Sequence, residues 1–109
     1  MPATDRRSGQ ERRAAQRFKI AVDVDWENFS GRRTGTLSDI SRSGCFVLTS
    51  GEFVDNEIVK VFIPAGDGIK IEFIGHVSNH AFEIGFALRF KDVSKAHIAF
   101  VEQFVADNL

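Results

Sequence analysis

Two short segments hold residue types that do recognition chemistry when brought together. The first, ERRAAQRF at residues 11–18, spaces three guanidiniums, Arg12, Arg13 and Arg17, with Glu11 as its one carboxylate. Arginine presents a rigid planar fork of donors that suits phosphate or carboxylate oxygens, and its plane stacks on flat rings. The second, DISRSG at residues 39–44, combines a carboxylate, two hydroxyls, a guanidinium and a glycine. Asp39 and Ser41 at this spacing either bond the backbone of their own turn or offer an acceptor and a donor to a ligand. Gly44 permits positive φ, or a close backbone approach that a Cβ would block. Arg42 either reaches a ligand or faces water. Apart from each other, the arginines read as a solvated tail and the second segment as an ordinary turn.

Other chemistry is poorly supplied. His76, His80 and His97 are irregularly spaced and Cys45 is the single cysteine, so no zinc set forms. Cys45 sits in an apolar stretch and reads as a small buried residue rather than a reactive thiol. No nucleophile elbow and no glycine-rich phosphate loop is present, so no enzymatic activity is expected. A lone cysteine allows no intrachain disulfide, which is compatible with a reducing compartment. The start, MPATDRRSGQ, lacks an apolar signal-peptide region and no apolar run reaches membrane-spanning length. A cytoplasmic protein without membrane insertion is the expectation.

Charge is unevenly distributed. The 109 residues sum to −1, but residues 1–17 hold five arginines against Asp5 and Glu11, a net of +3. The rest holds nine Lys or Arg against thirteen Asp or Glu, a net of −4. A basic arm on a mildly acidic body suits a small anionic ligand or a local acidic partner, not a long polyanion.

The elements that must position these segments follow from periodicity. Residues 1–16 show neither helical nor strand patterning and read as a flexible basic arm. From Phe18 the pattern alternates strictly: Phe18, Ile20, Val22, Val24 and Trp26 face one way, Lys19, Ala21, Asp23 and Asp25 the other. That is a half-buried strand, with Trp26 in the core. A turn around Gly31 leads to a second strand over 33–40, and DISRSG breaks it. Further strands are expected over 45–50, over 58–64 with Pro64 as the stop, and over 69–79 and 82–90 as a hairpin turning at Asn79–Ala81. Ser94 can cap a terminal helix with Ile98, Val101, Phe104 and Val105 at helical spacing. The fold class is therefore all-β: a six-stranded antiparallel barrel over residues 17–109 with a C-terminal helix covering an opening.

Arg13-Ala-Ala-Gln-Arg17 ahead of the first strand and Asp39-Ile-Ser41-Arg-Ser-Gly44 between the second and third resemble the two-part RxxxR and [D/N]xSxxG signature of the PilZ domains, bacterial receptors for cyclic di-GMP. Either half alone is a weak signal; the pair, in order and on these elements, is specific. The closing IGFALRFKDVSKAHIAFVEQFV is also similar to the family's last strand and helix, so the resemblance spans nearly the whole chain.

The resemblance implies a cyclic di-GMP receptor with Arg12, Arg13, Arg17, Asp39, Ser41 and Gly44 as ligand residues, no cofactor, and an output through an unidentified effector protein. Family outputs include motility, adhesion and exopolysaccharide production. The chemistry agrees. Guanidiniums suit phosphodiesters and the guanine O6 and N7 acceptors, and Asp39 can accept from guanine N1–H and N2–H. Ser41 can donate to a phosphate oxygen or fix the turn. A basic residue before RxxxR, here Arg12, goes in this family with two intercalated ligand molecules. One departure stands out: Ser78 and Asn79 occupy the place where many relatives carry an aromatic that stacks on guanine, a loss of about 1–3 kcal/mol by analogy with other base–aromatic contacts. Two rival readings are a small-barrel protein for single-stranded nucleic acid and a PilZ-fold interaction module without nucleotide affinity. Acidic body charge and the lack of an alternating basic–aromatic strand face speak against the first.

Overall fold

The computed structural model describes residues 17–108. The expected arm over 1–16, with Arg12 and Arg13, lies outside the described residues. Six strands and one helix follow in order: β1 Phe18–Asn28, β2 Gly31–Ile40, β3 Gly44–Leu48, β4 Ile58–Gly66, β5 Ile69–Ala81, β6 Gly85–Lys91 and α1 Lys95–Asn108. All strand pairs are antiparallel, and they close a barrel in the order β1-β2-β3-β6-β5-β4. The seam closes where Asp25–Glu27 of β1 meets Lys60–Phe62 of β4.

β1 alternates as its sequence requires: Val24 and Trp26 are buried, Phe18, Ile20 and Val22 half-buried, and Lys19, Ala21 and Asp23 exposed. Two aromatic groups fill the two ends of the barrel. At one end Trp26, Phe53 and Phe86 pack with ring centroids 4.6–5.4 Å apart, Phe53 being carried in by the segment between β3 and β4. The buried indole N–H donates to Thr49 Oγ1 at 3.2 Å, so the tryptophan is polar-satisfied within an apolar plug. At the other end α1 lies across the opening. Val101, Phe104 and Val105 are buried, and Phe100 packs on Phe73 and Phe104.

The helix begins where Ser94 predicts. Ser94 Oγ accepts the His97 N–H at 3.1 Å, and the His97 ring turns back to within 2.8 Å of the same hydroxyl. This reciprocal cap is the capping-box geometry with histidine in the acidic residue's place. His97 Nε2–H donates to the Glu72 carbonyl at 3.0 Å and the ring sits edge-on to Phe73. His97 is therefore a clip between α1 and β5.

β2 starts at Gly31 rather than Arg33 and β3 ends at Leu48 rather than Ser50, and two larger differences have a structural cause. Pro64 does not stop β4, which continues through a bulge to Gly66 opposite Ile69. β4 pairs with β1 only over Lys60–Phe62, so at Pro64 there is no bond to β1 for a proline to lose. The β5–β6 hairpin turns at residues 82–84, not at Asn79–Ala81: Ala81 pairs with Gly85, and the Ile84 N–H donates to the Ala81 carbonyl at 3.0 Å. Glu83 adopts φ +62° there. Asparagine is the residue expected in that conformation, so the sequence points three residues too early.

Candidate nucleotide-binding rim

The β1–β2 ladder brings the last two residues of the first chemical segment, Arg17 and Phe18, to the start of the second. Phe18 pairs with Ile40 and Lys19 with Asp39, so the residue preceding β1 falls beside the last turn of β2. Arg17 Nη1–H donates to Asp39 Oδ1 at 2.6 Å across 22 residues of sequence. The two side chains are 45% and 26% exposed, so the pair sits on an open rim and contributes little to stability. Asp39 orients the guanidinium, and its Oδ2 makes no hydrogen bond within the described residues.

The turn that follows is rigid, and Ser41 makes it so. Its side chain is nearly inaccessible at 1%, and Oγ accepts the N–H groups of Ser43 at 3.1 Å and Gly44 at 3.2 Å. The hydroxyl proton has the Gly44 carbonyl at 3.3 Å or Ser43 Oγ at 3.2 Å as acceptor. Ser41 N–H also donates to the Gly44 carbonyl at 2.8 Å, and Phe90 N–H to the Ser43 carbonyl at 2.8 Å. Fixing the turn is one of the two roles the sequence offers Ser41. The φ of Gly44 is not in the left-handed region, and a Cβ would run into the Leu88 carbonyl oxygen of β6. Close approach, not positive φ, is what requires glycine.

Arg42, at the tip of this turn, ion-pairs with Glu102 of α1 at 2.9 Å, both side chains 56% exposed. It links the turn to the helix. Cys45 is fully buried beneath. Burial pushes its thiol well above the ordinary range, with the Asp39 charge adding to the shift and Arg17 opposing it. It is no nucleophile at neutral pH.

The barrel register extends the rim across four strands. Asp39, Phe46, Ala87 and Asn79 form one row, and Gly44, Arg89 and His76 the next row that faces outward, with the buried row Ile40, Cys45, Leu88 and Val77 between them. Arg89 is exposed between buried Leu88 and Phe90, so its guanidinium projects from the outer face opposite Gly44. Sequence reasoning missed it. Its only signal is the β3–β6 register, which joins residues 45 positions apart and has no local trace. Asn79 stands in the row where an aromatic platform was missed, its Oδ1 accepting the His80 N–H at 2.9 Å. Half-buried Phe46 lies between it and Asp39, and a Cβ at Gly85 would meet the Val47 carbonyl oxygen first and the edge of the Phe46 ring at 3.0 Å. The row thus holds an aromatic two strands nearer the carboxylate than expected.

Residues 11–107 match the family model of the PilZ domain. The chain belongs to the PilZ domain family. Solved PilZ domains share its fold. The PilZ domain of CeSA from a cellulose-synthesizing bacterium superimposes with a TM-score of 0.66 at 18% identity, covering 84% of this chain and 96% of that one. The PilZ domain of YcgR from Escherichia coli, solved with cyclic di-GMP, gives 0.68 at 13%, covering 85% and 89%. PlzA from Borreliella burgdorferi, in complex with cyclic di-GMP, gives 0.69 at 13%, covering 93% of this chain but 44% of its own. No curated protein matches the sequence. Among the described residues no helix is long and apolar enough to cross a membrane.

Proposed function

We propose that this PilZ domain is a receptor for cyclic di-GMP with no catalytic activity, acting through a partner protein. The observation that supports the reading is the Arg17–Asp39 contact beside the Ser41–Gly44 turn, where the last residue of RxxxR meets the first of [D/N]xSxxG on an exposed rim. Arg17, with Arg13 and Arg12 from the arm, supplies charge-assisted bonds to the phosphodiesters and a plane to stack on guanine. Asp39 reads the guanine N1–H and N2–H edge, which adenine does not offer. The Ser41 turn holds its own backbone and the Gly44 carbon flush with β6, so a flat ligand meets a rigid floor. Arg89 adds a cation on the far side of that floor, and Phe46 an apolar surface. Drawing Arg12 and Arg13 onto the rim changes the surface a partner meets, a switch driven by contacts that exist only in the bound state.

Amide chemical-shift mapping tests this reading. Cyclic di-GMP should move residues 17, 39–44 and 89 and leave the Trp26–Phe53–Phe86 plug in place. Perturbation centred on the β1 face around Asp23 and Asp25 instead would move the site elsewhere.

A further inference from the structure

The barrel end opposite the rim is built from the β1–β2 turn, the segment 49–57 and the β5–β6 turn. Seven large apolar side chains of the described residues are exposed; Phe29, Val54, Phe82 and Ile84 stand on these three pieces, with Leu48 beside them opposite Gly85. Phe29 is 92% exposed and Phe82 66%. The three pieces are tied into one surface. The Glu57 carboxylate accepts from Asn28 Nδ2 at 2.7 Å and from the Val54 N–H at 3.1 Å, which joins the Phe29 turn to Val54. Asp55 meets His80 at 3.3 Å, and Thr49 N–H donates to the Ile84 carbonyl at 2.9 Å, which joins the same segment to the Phe82–Ile84 turn. Between them Gly51, Glu52, Phe53, His80 and Phe82 line a cleft of about 230 Å³.

The fold does not need these side chains, because the aromatic plug already closes the barrel beneath them. A contiguous exposed apolar surface of this kind marks an interaction site. Its charge selects the occupant. Glu52, Asp55, Glu57 and Glu83 stand among the apolar residues, and residues 48–59 and 79–88 contain no Lys or Arg. At the β1–β2 hairpin Arg32 is paired with Glu27, and Arg33, whose guanidinium lies over Trp26 beside Gly51, is left as a single cation against the four carboxylates. A polyanion or an anionic membrane would be repelled, and a second copy of the same surface would oppose two sets of carboxylates.

We propose that this barrel end docks a basic amphipathic segment of another protein, its apolar face on Phe29, Val54, Phe82 and Ile84 and its Lys or Arg residues against the carboxylates. The surface lies at the barrel end away from Arg17 and the 39–44 turn, so both can be occupied together. It also stands whether or not the nucleotide reading holds.

Two synthetic peptides of about 18 residues, one Leu/Lys and one Leu/Glu with identical leucine spacing, test it against the isotope-labelled full chain. The Leu/Lys peptide should shift residues 29, 48–55 and 82–84. Its affinity should fall about tenfold in Val54→Ser/Phe82→Ser and again in Glu52→Lys/Glu83→Lys, both placed on exposed side chains that leave the melting curve unchanged. Equal binding of the Leu/Glu peptide, shifts centred on Asp23 and Asp25, or unchanged affinity in both variants would overturn the proposal. So would a concentration-dependent dimer of the chain alone that Phe82→Ser dissolves, which would assign the surface to a second copy.

Discussion

Replacing Ser41 with alanine separates the turn-fixing role from the ligand-donor role. The side chain is buried and its oxygen accepts two backbone N–H groups, of Ser43 and Gly44. Ser43 is half-buried, so its freed donor can turn to water, whereas Gly44 is buried against β6 and its donor has no alternative. One orphaned buried donor costs about 1–3 kcal/mol. In a domain of this size that corresponds to a fall in Tm of about 5–15 °C. Cyclic di-GMP affinity should fall with it, because the floor loosens, while guanine preference stays intact because Asp39 is untouched. Calorimetric melting with and without ligand reads both quantities. If Ser41→Ala melts like wild type and loses only affinity, the hydroxyl acts on the ligand and the turn account is wrong.

Arg17→Ala breaks an exposed ion pair, so stability should change by less than about 1 kcal/mol while binding falls at least tenfold; Arg13→Ala should behave alike, and paired melting and titration curves check both. Asp39→Ala should weaken cyclic di-GMP and narrow its advantage over cyclic di-AMP, and equal losses for the two nucleotides would refute base reading by Asp39. Wild type should hold two ligands per protomer and Arg12→Leu one, because stacking two dinucleotides gathers four phosphodiester charges that an added guanidinium offsets. Calorimetric stoichiometry well above the dissociation constant decides that, and a wild-type value near one would refute the role of Arg12 alone.

What the sequence makes legible is what short-range periodicity encodes. β1 is readable from Phe18 to Trp26 because one face is buried and the other wet, and α1 is readable because Ser94 caps it and its apolar positions recur at helical spacing. Both chemical segments are readable because each is contiguous, and their meeting follows once β1 and β2 are seen as a hairpin. Features set by strand pairing are not readable. Pro64 is tolerated because β4 no longer pairs with β1 at that level, a fact about another strand. Arg89 reaches the rim only through the β3–β6 register, and Arg42 finds Glu102 across 60 residues. The β5–β6 turn misleads because Glu83, not Asn79, takes the left-handed conformation.

The most direct measurement is a calorimetric titration of the full chain with cyclic di-GMP, cyclic di-AMP and a single-stranded oligonucleotide, each at two salt concentrations. The account predicts saturable binding of cyclic di-GMP, weaker binding of cyclic di-AMP, and no oligonucleotide binding that survives the higher salt. A strong, steeply salt-dependent oligonucleotide signal would point to the nucleic-acid reading. No heat or shift with cyclic di-GMP, from a chain that melts cooperatively, would contradict the receptor assignment and leave a PilZ fold used only for protein contacts.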